Sequence, residues 1–267
     1  MGSSPAGRLK ANVCAAPGLA ATAHDPLAPL AADLNGLPAE RRRQLRSFHP
    51  ADPGQLQASG GPLLDLASND VLGLSTHPAL IQAAQNAMQR EGVGAGASRL
   101  VSGSRPSHQV LEQALAQWLG RERVLTYPSG FQANLAAVQA LADRQTLVLA
   151  DRLIHHSLLQ GVQASGARLQ RFEHNNLQQL EQRLSAARQQ DPQRRLLVIG
   201  ESLYSMQGSD ADVAQLSRLC QHHQAALLLD EAHALGVLGP GGRGLGHGLA
   251  AVALISGTFG KAFGSGG

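Results

Sequence analysis

The sequence predicts an α/β protein: a mostly parallel sheet with helices on both faces. Two observations carry this. From about residue 60 onward, short apolar runs alternate with amphipathic stretches of helical spacing, the pattern of strand–helix–strand units. Three of the apolar runs also end in a carboxylate, at Asp151, Glu201 and Asp230-Glu231, and ligands of open α/β sheets bind at the carboxyl edge of the strands. Composition agrees with a globular chain, being 43% apolar and only 15% charged.

Taken in order, residues 1–40 read as a flexible N-terminal extension. The first 24 contain no Asp or Glu, and they lack the long apolar stretch of a secretory signal. Residues 41–75 form an N-terminal segment. Its dense basic run, Arg41-Arg42-Arg43 with Arg46, reads as a solvated helix face. Residues 76–267 hold the alternating pattern. Helix 78–91 starts at Pro78, lines up Leu80, Ile81, Ala84 and Met88, and stops at Gly92. Helix 107–119 carries Leu111, Leu115, Trp118 and Leu119 and stops at Gly120. Further helices are expected at 130–142, 155–164, 176–190 and 212–223. Strands are expected at 124–127, 146–150, 168–172, 196–199, 226–229 and 252–255.

Bulk numbers exclude several functions. A net charge of +3 without a basic, aromatic-laced stripe argues against nucleic-acid binding. No apolar run reaches the roughly 18 residues of a membrane span. Cys14 and Cys220 lie far apart, which suggests neither a disulfide framework nor a zinc site and fits a cytoplasmic location. Asp230-Glu231-Ala232-His233 also occurs in nucleotide-driven helicases, but that reading needs a Gly-x-x-x-x-Gly-Lys-Ser/Thr loop, and this sequence has none. No Gly-x-Ser-x-Gly elbow supports a serine hydrolase.

What remains points to carbonyl chemistry. The chain has 20 Arg and two Lys, Lys10 and Lys261. Lys261 follows an apolar strand and sits among glycines. A lysine in apolar surroundings has a lowered pKa, and its neutral amine can attack a carbonyl, as arginine cannot. Asp230, at the end of a Leu-Leu-Leu run, suits a protonated pyridine nitrogen. His155 opens a helix after a strand and could lie flat on an aromatic cofactor. Ser129-Gly130-Phe131, at a helix start, could hold a phosphate on backbone N–H groups, or could equally be a structural turn. His155-His156 and His222-His223 are adjacent pairs that would not chelate one metal, so no metal is expected.

These residues occur in ordered motifs: Ser68–Leu74, Gly94–Gly103, Asp230–His233 and Thr258–Lys261. With them the chain resembles the α-oxoamine synthases, pyridoxal 5′-phosphate enzymes of aminotransferase fold type I. The resemblance implies a three-layer α/β/α large domain over 76–267, left incomplete, with the C-terminal small domain absent. It implies that Lys261 bonds the cofactor and that Asp230 keeps its ring nitrogen protonated. His155 would stack on the ring, and Ser205 and His233 would bond its phenolic oxygen. Thr258 with Ser129, Gly130 and Phe131 would hold the phosphate. Asn69 would reach a partner's site in a homodimer, Glu201 would lie near the acyl group, and Arg46 near the far end of the acyl substrate.

The implied reaction is a decarboxylating condensation of an amino acid with an acyl-CoA or other acyl thioester. Ser129–Leu135 and Gly236–Gly239 lean toward L-alanine and a pimeloyl thioester, giving 8-amino-7-oxononanoate, CoA and carbon dioxide, a step of biotin biosynthesis. Glycine C-acetyltransferase, 5-aminolevulinate synthase and serine palmitoyltransferase share most of the motifs, and a non-catalytic remnant is the other alternative. Family members continue well past the position of Gly267, so this polypeptide alone is expected to be inactive or weak. One departure is Met206-Gln207, where the family more often has an acidic residue after Met.

Overall fold

The computed structural model describes residues 26–43, 45–51 and 54–267. Most of the expected N-terminal extension, with Lys10 and Cys14, lies outside the described residues. Within its described part, α1 (Ala28–Gly36) carries Pro29 in its first turn and buries none of its residues. A single 3-10 turn at Ala39–Arg41 follows, with Arg41 and the next two arginines, Arg42 and Arg43, exposed. The sequence reading did not anticipate the next element. Strands β1 (His49–Pro50), β2 (Gln55–Ala58) and β3 (Gly61–Leu64) form a small antiparallel sheet, joined at Ala58↔Gly61 by a tight reversal in which Gly61 takes φ +115°. Only β2 alternates, with Leu56 and Ala58 half-buried between exposed glutamines, and four residues are too few to mark a strand in the sequence.

Helices α2 (Pro78–Glu91), α3 (Pro106–Leu119) and α4 (Gly130–Leu141) lead into the main body. Proline opens the first two, and Gly120 closes α3 in the left-handed conformation that a glycine adopts without Cβ strain. The sequence then runs β4 (Leu147–Asp151), α5 (His156–Ser165), β5 (Arg168–Phe172), α6 (Leu177–Gln190), β6 (Leu196–Glu201), α7 (Val213–His222), β7 (Ala226–Asp230) and β8 (Val252–Ser256). The five long strands are all parallel, in the order β5–β4–β6–β7–β8.

Alternation along each strand sorts its side chains between two helical layers. Val148, Ala150, Leu197, Ile199 and Leu228 pack with Val138, Leu158 and Val162 of α4 and α5. Leu147, Leu149, Val198, Leu227 and Leu229 pack with Leu180, Leu184, Leu216 and Cys220 of α6 and α7. The expected three-layer arrangement is therefore present. Helices α4 and α5 approach closely because Gly161 carries no side chain; a Cβ there would stand 2.8 Å from Val138 Cβ.

One expected strand is not a strand. Residues 124–127 join no ladder and run opposite β8 across a mostly apolar cavity of about 390 Å³. Side chains occupy the backbone of this segment instead. Glu112 Oε1 accepts from Thr126 N at 2.7 Å, and Arg99, ion-paired to Glu112, donates to Thr126 O at 3.5 Å. Arg99 holds the Glu112 carboxyl down at about 2.

Candidate active site

The parallel register brings the carboxyl edge of the sheet together. Glu201 and Asp230 are paired positions of β6 and β7, and Asp230 is paired with Ser256 of β8. Both carboxylates follow residues packed on the α4–α5 side (Ile199 and Leu228), so by strand parity they face that side. Asp151 follows Leu149 and Glu231 follows Asp230, so these two face the α6–α7 side. The three strand-end carboxylates expected to share one site are thus split by parity. Glu201 and Asp230 form the pair, and Asp151 lies behind it.

Asp230 is buried and firmly held. Its Oδ2 accepts from Asn134 Nδ2 of α4 at 2.7 Å and its Oδ1 from Ala232 N at 2.8 Å. Asn134 also donates to Ser157 Oγ of α5 at 3.0 Å, and Ser157 Oγ lies 2.7 Å from His155 Nδ1. A continuous polar chain therefore links the His155 imidazole to the Asp230 carboxylate. Asn134 and Ser157 were not singled out from the sequence. The available signal is a polar Asn at the buried stripe of an otherwise apolar helix, four residues before Val138.

His155 is the N-cap of α5, with Nδ1 accepting from Ser157 N at 3.3 Å, and its ring is exposed at the sheet edge. Its backbone N donates to Glu201 Oε1 at 2.5 Å. Burial, aided by Asp230, pushes the Glu201 carboxyl up to about 8, so it is mainly protonated at neutral pH. Lys261 is half-buried. Burial lowers its pKa, while Asp230, and Glu201 when ionised, oppose the shift by favouring the ammonium. His233 is half-buried too, its pKa lowered by burial first and by Lys261 next. Lys261, Asp230, Glu201, His155 and His233 therefore share one electrostatic neighbourhood.

A second group lies at the start of α4. Ser129 is the N-cap, accepting from Gln132 N at 3.2 Å. Gly130 is crossed so closely by Thr258 that an added Cβ would meet Thr258 Cβ at 3.3 Å. Thr258 Oγ1 donates to Gly267 O at 2.6 Å and accepts from Gly260 N at 3.1 Å. Phe131, at the first turn of α4, is exposed. Free N–H groups at a helix start beside a hydroxyl suit an anion. The remaining expected residues stand apart. Ser205 is exposed in the turn after β6, and Asn69 and Arg46 are exposed on the N-terminal segment, whose Leu74 and Ser75 lie so close to Gly264 that a Cβ there would clash with Ser75 N. Among the described residues no cluster of His, Cys, Asp or Glu could hold a metal ion.

Comparison with known proteins agrees with this geometry. Residues 61–267 match the family model described as aminotransferase class I and II. The chain is 42% identical over 233 residues to 8-amino-7-oxononanoate synthase 1 of Polaromonas sp., covering 85% of this chain and 56% of that one. It is 44% identical to 8-amino-7-oxononanoate synthase of Acidithiobacillus ferrooxidans, covering 83% and 58%. Among solved structures it superposes on serine palmitoyltransferase from S. paucimobilis with a bound PLP–myriocin aldimine, at TM-score 0.82 and 28% identity, covering 91% of this chain and 64% of that one. The 8-amino-7-oxononanoate synthase of Francisella tularensis matches at TM-score 0.62 and 28% identity, covering 75% and 56%. The chain spans little more than half the length of these curated relatives. With the motifs, the five-stranded parallel sheet and the family match in agreement, the chain belongs to the class I and II aminotransferase family.

Proposed function

We propose that this chain is the cofactor-binding body of a pyridoxal 5′-phosphate-dependent C-acyltransferase of the α-oxoamine synthase type. It would join L-alanine to a pimeloyl thioester in biotin biosynthesis. The observation that carries the reading is the half-buried Lys261 beside the buried, doubly hydrogen-bonded Asp230, with the His155 ring open above the same edge. The identity to enzymes named 8-amino-7-oxononanoate synthase supports the choice of substrates.

The residues present fit such a cofactor: an amine for its aldehyde, a carboxylate for its ring nitrogen, an exposed imidazole for its face and a helix start for its phosphate. When bound, pyridoxal phosphate supplies an electron-accepting ring that stabilises negative charge at the α-carbon of the amino acid. The protein's own part follows from its environments. Burial favours the neutral amine of Lys261, the form that would bond the cofactor's aldehyde carbon and take the α-proton. Asn134 and Ala232 fix the Asp230 carboxylate so that it can accept from a protonated ring nitrogen. Ser157 holds the His155 ring in place for stacking. Protonated Glu201 offers a hydrogen-bond donor beside Lys261, where the acyl carbonyl would arrive. Ser129, Thr258 and the N–H groups of Gly130 and Phe131 would take the phosphate, and Ser205 with His233 the ring oxygen.

Asn69 would reach a partner's site in a homodimer, and Arg46 would lie near the acyl end of the substrate. The exposed apolar side chains of Leu66, Val71, Val93, Leu100 and Val101 support a second copy as the cover for this surface. A cytoplasmic location belongs to the same proposal. No helix among the described residues is long and apolar enough to cross a membrane.

Borohydride reduction tests the reading. The chain incubated with pyridoxal phosphate should turn yellow, bleach on reduction and retain the label on Lys261, and Lys261→Ala should retain none. Equal labelling of the variant would refute the assignment. Substrate profiling with glycine against L-alanine, and acetyl against pimeloyl thioesters, separates this reading from a glycine C-acetyltransferase.

A further inference from the structure

We propose that His174 is a positioning residue for the cofactor site, fastening the 204–209 turn that carries Ser205 to the 151–155 segment that carries His155. The inference rests on the reading of His155 and Ser205 as cofactor contacts.

The fastening starts at Asp151, the carboxylate that parity places behind the site. It is 1% exposed. Oδ1 accepts from Leu153 N at 2.8 Å, which bends the chain after β4 toward His155, and Oδ2 accepts from Asn175 N at 2.8 Å. His174 Nδ1 stands 3.1 Å from both oxygens. On the opposite side of the ring, Nε2 lies 2.8 Å from Ser209 Oγ. The ring also meets Tyr204 edge-on, with centroids 4.5 Å apart at 84°.

Tyr204 and Ser209 are the two ends of one turn. Tyr204 N donates to Ser209 O at 2.9 Å, and Gly208 N donates to Tyr204 O at 2.8 Å. Asn175 adds a second tie, Nδ2 to Asp210 O at 2.9 Å, and it does so from a positive φ of 55°, a backbone state that asparagine tolerates better than most residues. Two consecutive residues thus reach the base of the turn, while Ser205 and Met206 at its tip are exposed. Where Ser205 stands is set by that base.

The tie does not depend on the charge of the ring. A carboxylate at Nδ1 requires a proton there, and Nε2 then accepts from the Ser209 hydroxyl when neutral or donates to it when protonated. The order carboxylate–imidazole–hydroxyl matches a hydrolytic triad. Here, however, the hydroxyl belongs to a turn whose main chain is closed on itself, and the arrangement holds two loops together.

His174→Phe keeps a ring against Tyr204 and removes both ring hydrogen bonds; Ser209→Ala removes the outer one at little risk to folding. In both, the amides of Tyr204 and Gly208 should exchange hydrogen about tenfold faster than in wild type. Titration with pyridoxal phosphate should show affinity about tenfold weaker. Adding Ser205→Ala should cost no more than Ser205→Ala alone, because the two act through one contact. His174→Gln, which keeps a donor and an acceptor, should retain part of both functions. Unchanged exchange in the turn overturns the proposal. So does faster exchange with wild-type cofactor affinity in a chain that Ser205→Ala weakens. If wild type takes up no cofactor, the functional reading falls by itself. Exchange then decides the fastening, with faster exchange upholding it and unchanged exchange overturning it.

Discussion

Asn134 shows what a single residue does when two elements converge on it. It spans from Asp230, 96 positions away in sequence, to Ser157, 23 positions away. Asn134→Leu leaves Asp230 and Ser157 short of a buried partner. It should lower unfolding stability by about 1–3 kcal/mol in urea titrations, and Ser157→Ala by less. Glu201 gives a pH signature. Its folded pKa, near 8, lies above its ordinary value, so its stabilising contribution is complete below about pH 4 and is lost as pH rises toward and through about 8. Wild type should therefore lose stability across that range, and Glu201→Gln should lose distinctly less. Denaturant midpoints at several pH values decide this; equal slopes would count against a raised Glu201. Lysine 261, Asp230 and His155 were legible in the sequence because their chemistry is unusual for their setting: one lysine in an Arg-rich body, a carboxylate ending an apolar strand. Asn134 and Ser157 were not, because their role exists only once α4, α5 and β7 meet.

At the scale of elements, the strand–helix alternation carried nearly the whole sheet, with boundaries close to those observed for 146–150, 168–172 and 196–199. It failed at 124–127, where the apolar run is neither paired nor buried, Leu125 and Tyr127 being exposed, and the Arg99–Glu112 pair holds the backbone of Thr126 instead. It was silent on β1–β3, where only the four residues of β2 alternate. The contact between α4 and α5 gives a sharp expectation. Gly161→Leu places side-chain atoms where Val138 already stands, and should cost about 1–3 kcal/mol of stability by overpacking. Because Asn134 and Ser157 ride on the same two helices, cofactor affinity should fall with it, measurable by absorbance titration. Arg188 ties the far end of the sheet, donating to the carbonyls of His223, Gln224, Pro192 and Arg194 at 2.6–3.0 Å.

For the molecule as a whole, ligand binding and folding are linked. The groups assigned to the cofactor come from α4, α5, β6, β7 and the segment after β8, so they converge only in the folded chain. Pyridoxal phosphate at 100 times its dissociation constant should therefore raise unfolding stability by about 2.7 kcal/mol, and the gain should shrink in Lys261→Ala. Thermal melts with and without cofactor measure both. A second consequence follows from the neighbouring carboxylates of β7. Asp230 looks toward α4, whereas Glu231 looks the other way and is fixed by Ser202 Oγ at 2.7 Å and Gly246 N at 2.6 Å. The two acids are close chemical equivalents, yet they serve opposite sides of the sheet. Inserting a single residue within 226–230 would carry the aspartate into the tight nest of Gly244 and Gly246, and deleting one would put the glutamate in the place of Asp230 and drive the aspartate into the core position of Leu229. This stretch can accept changes of residue type far more readily than any change in residue count.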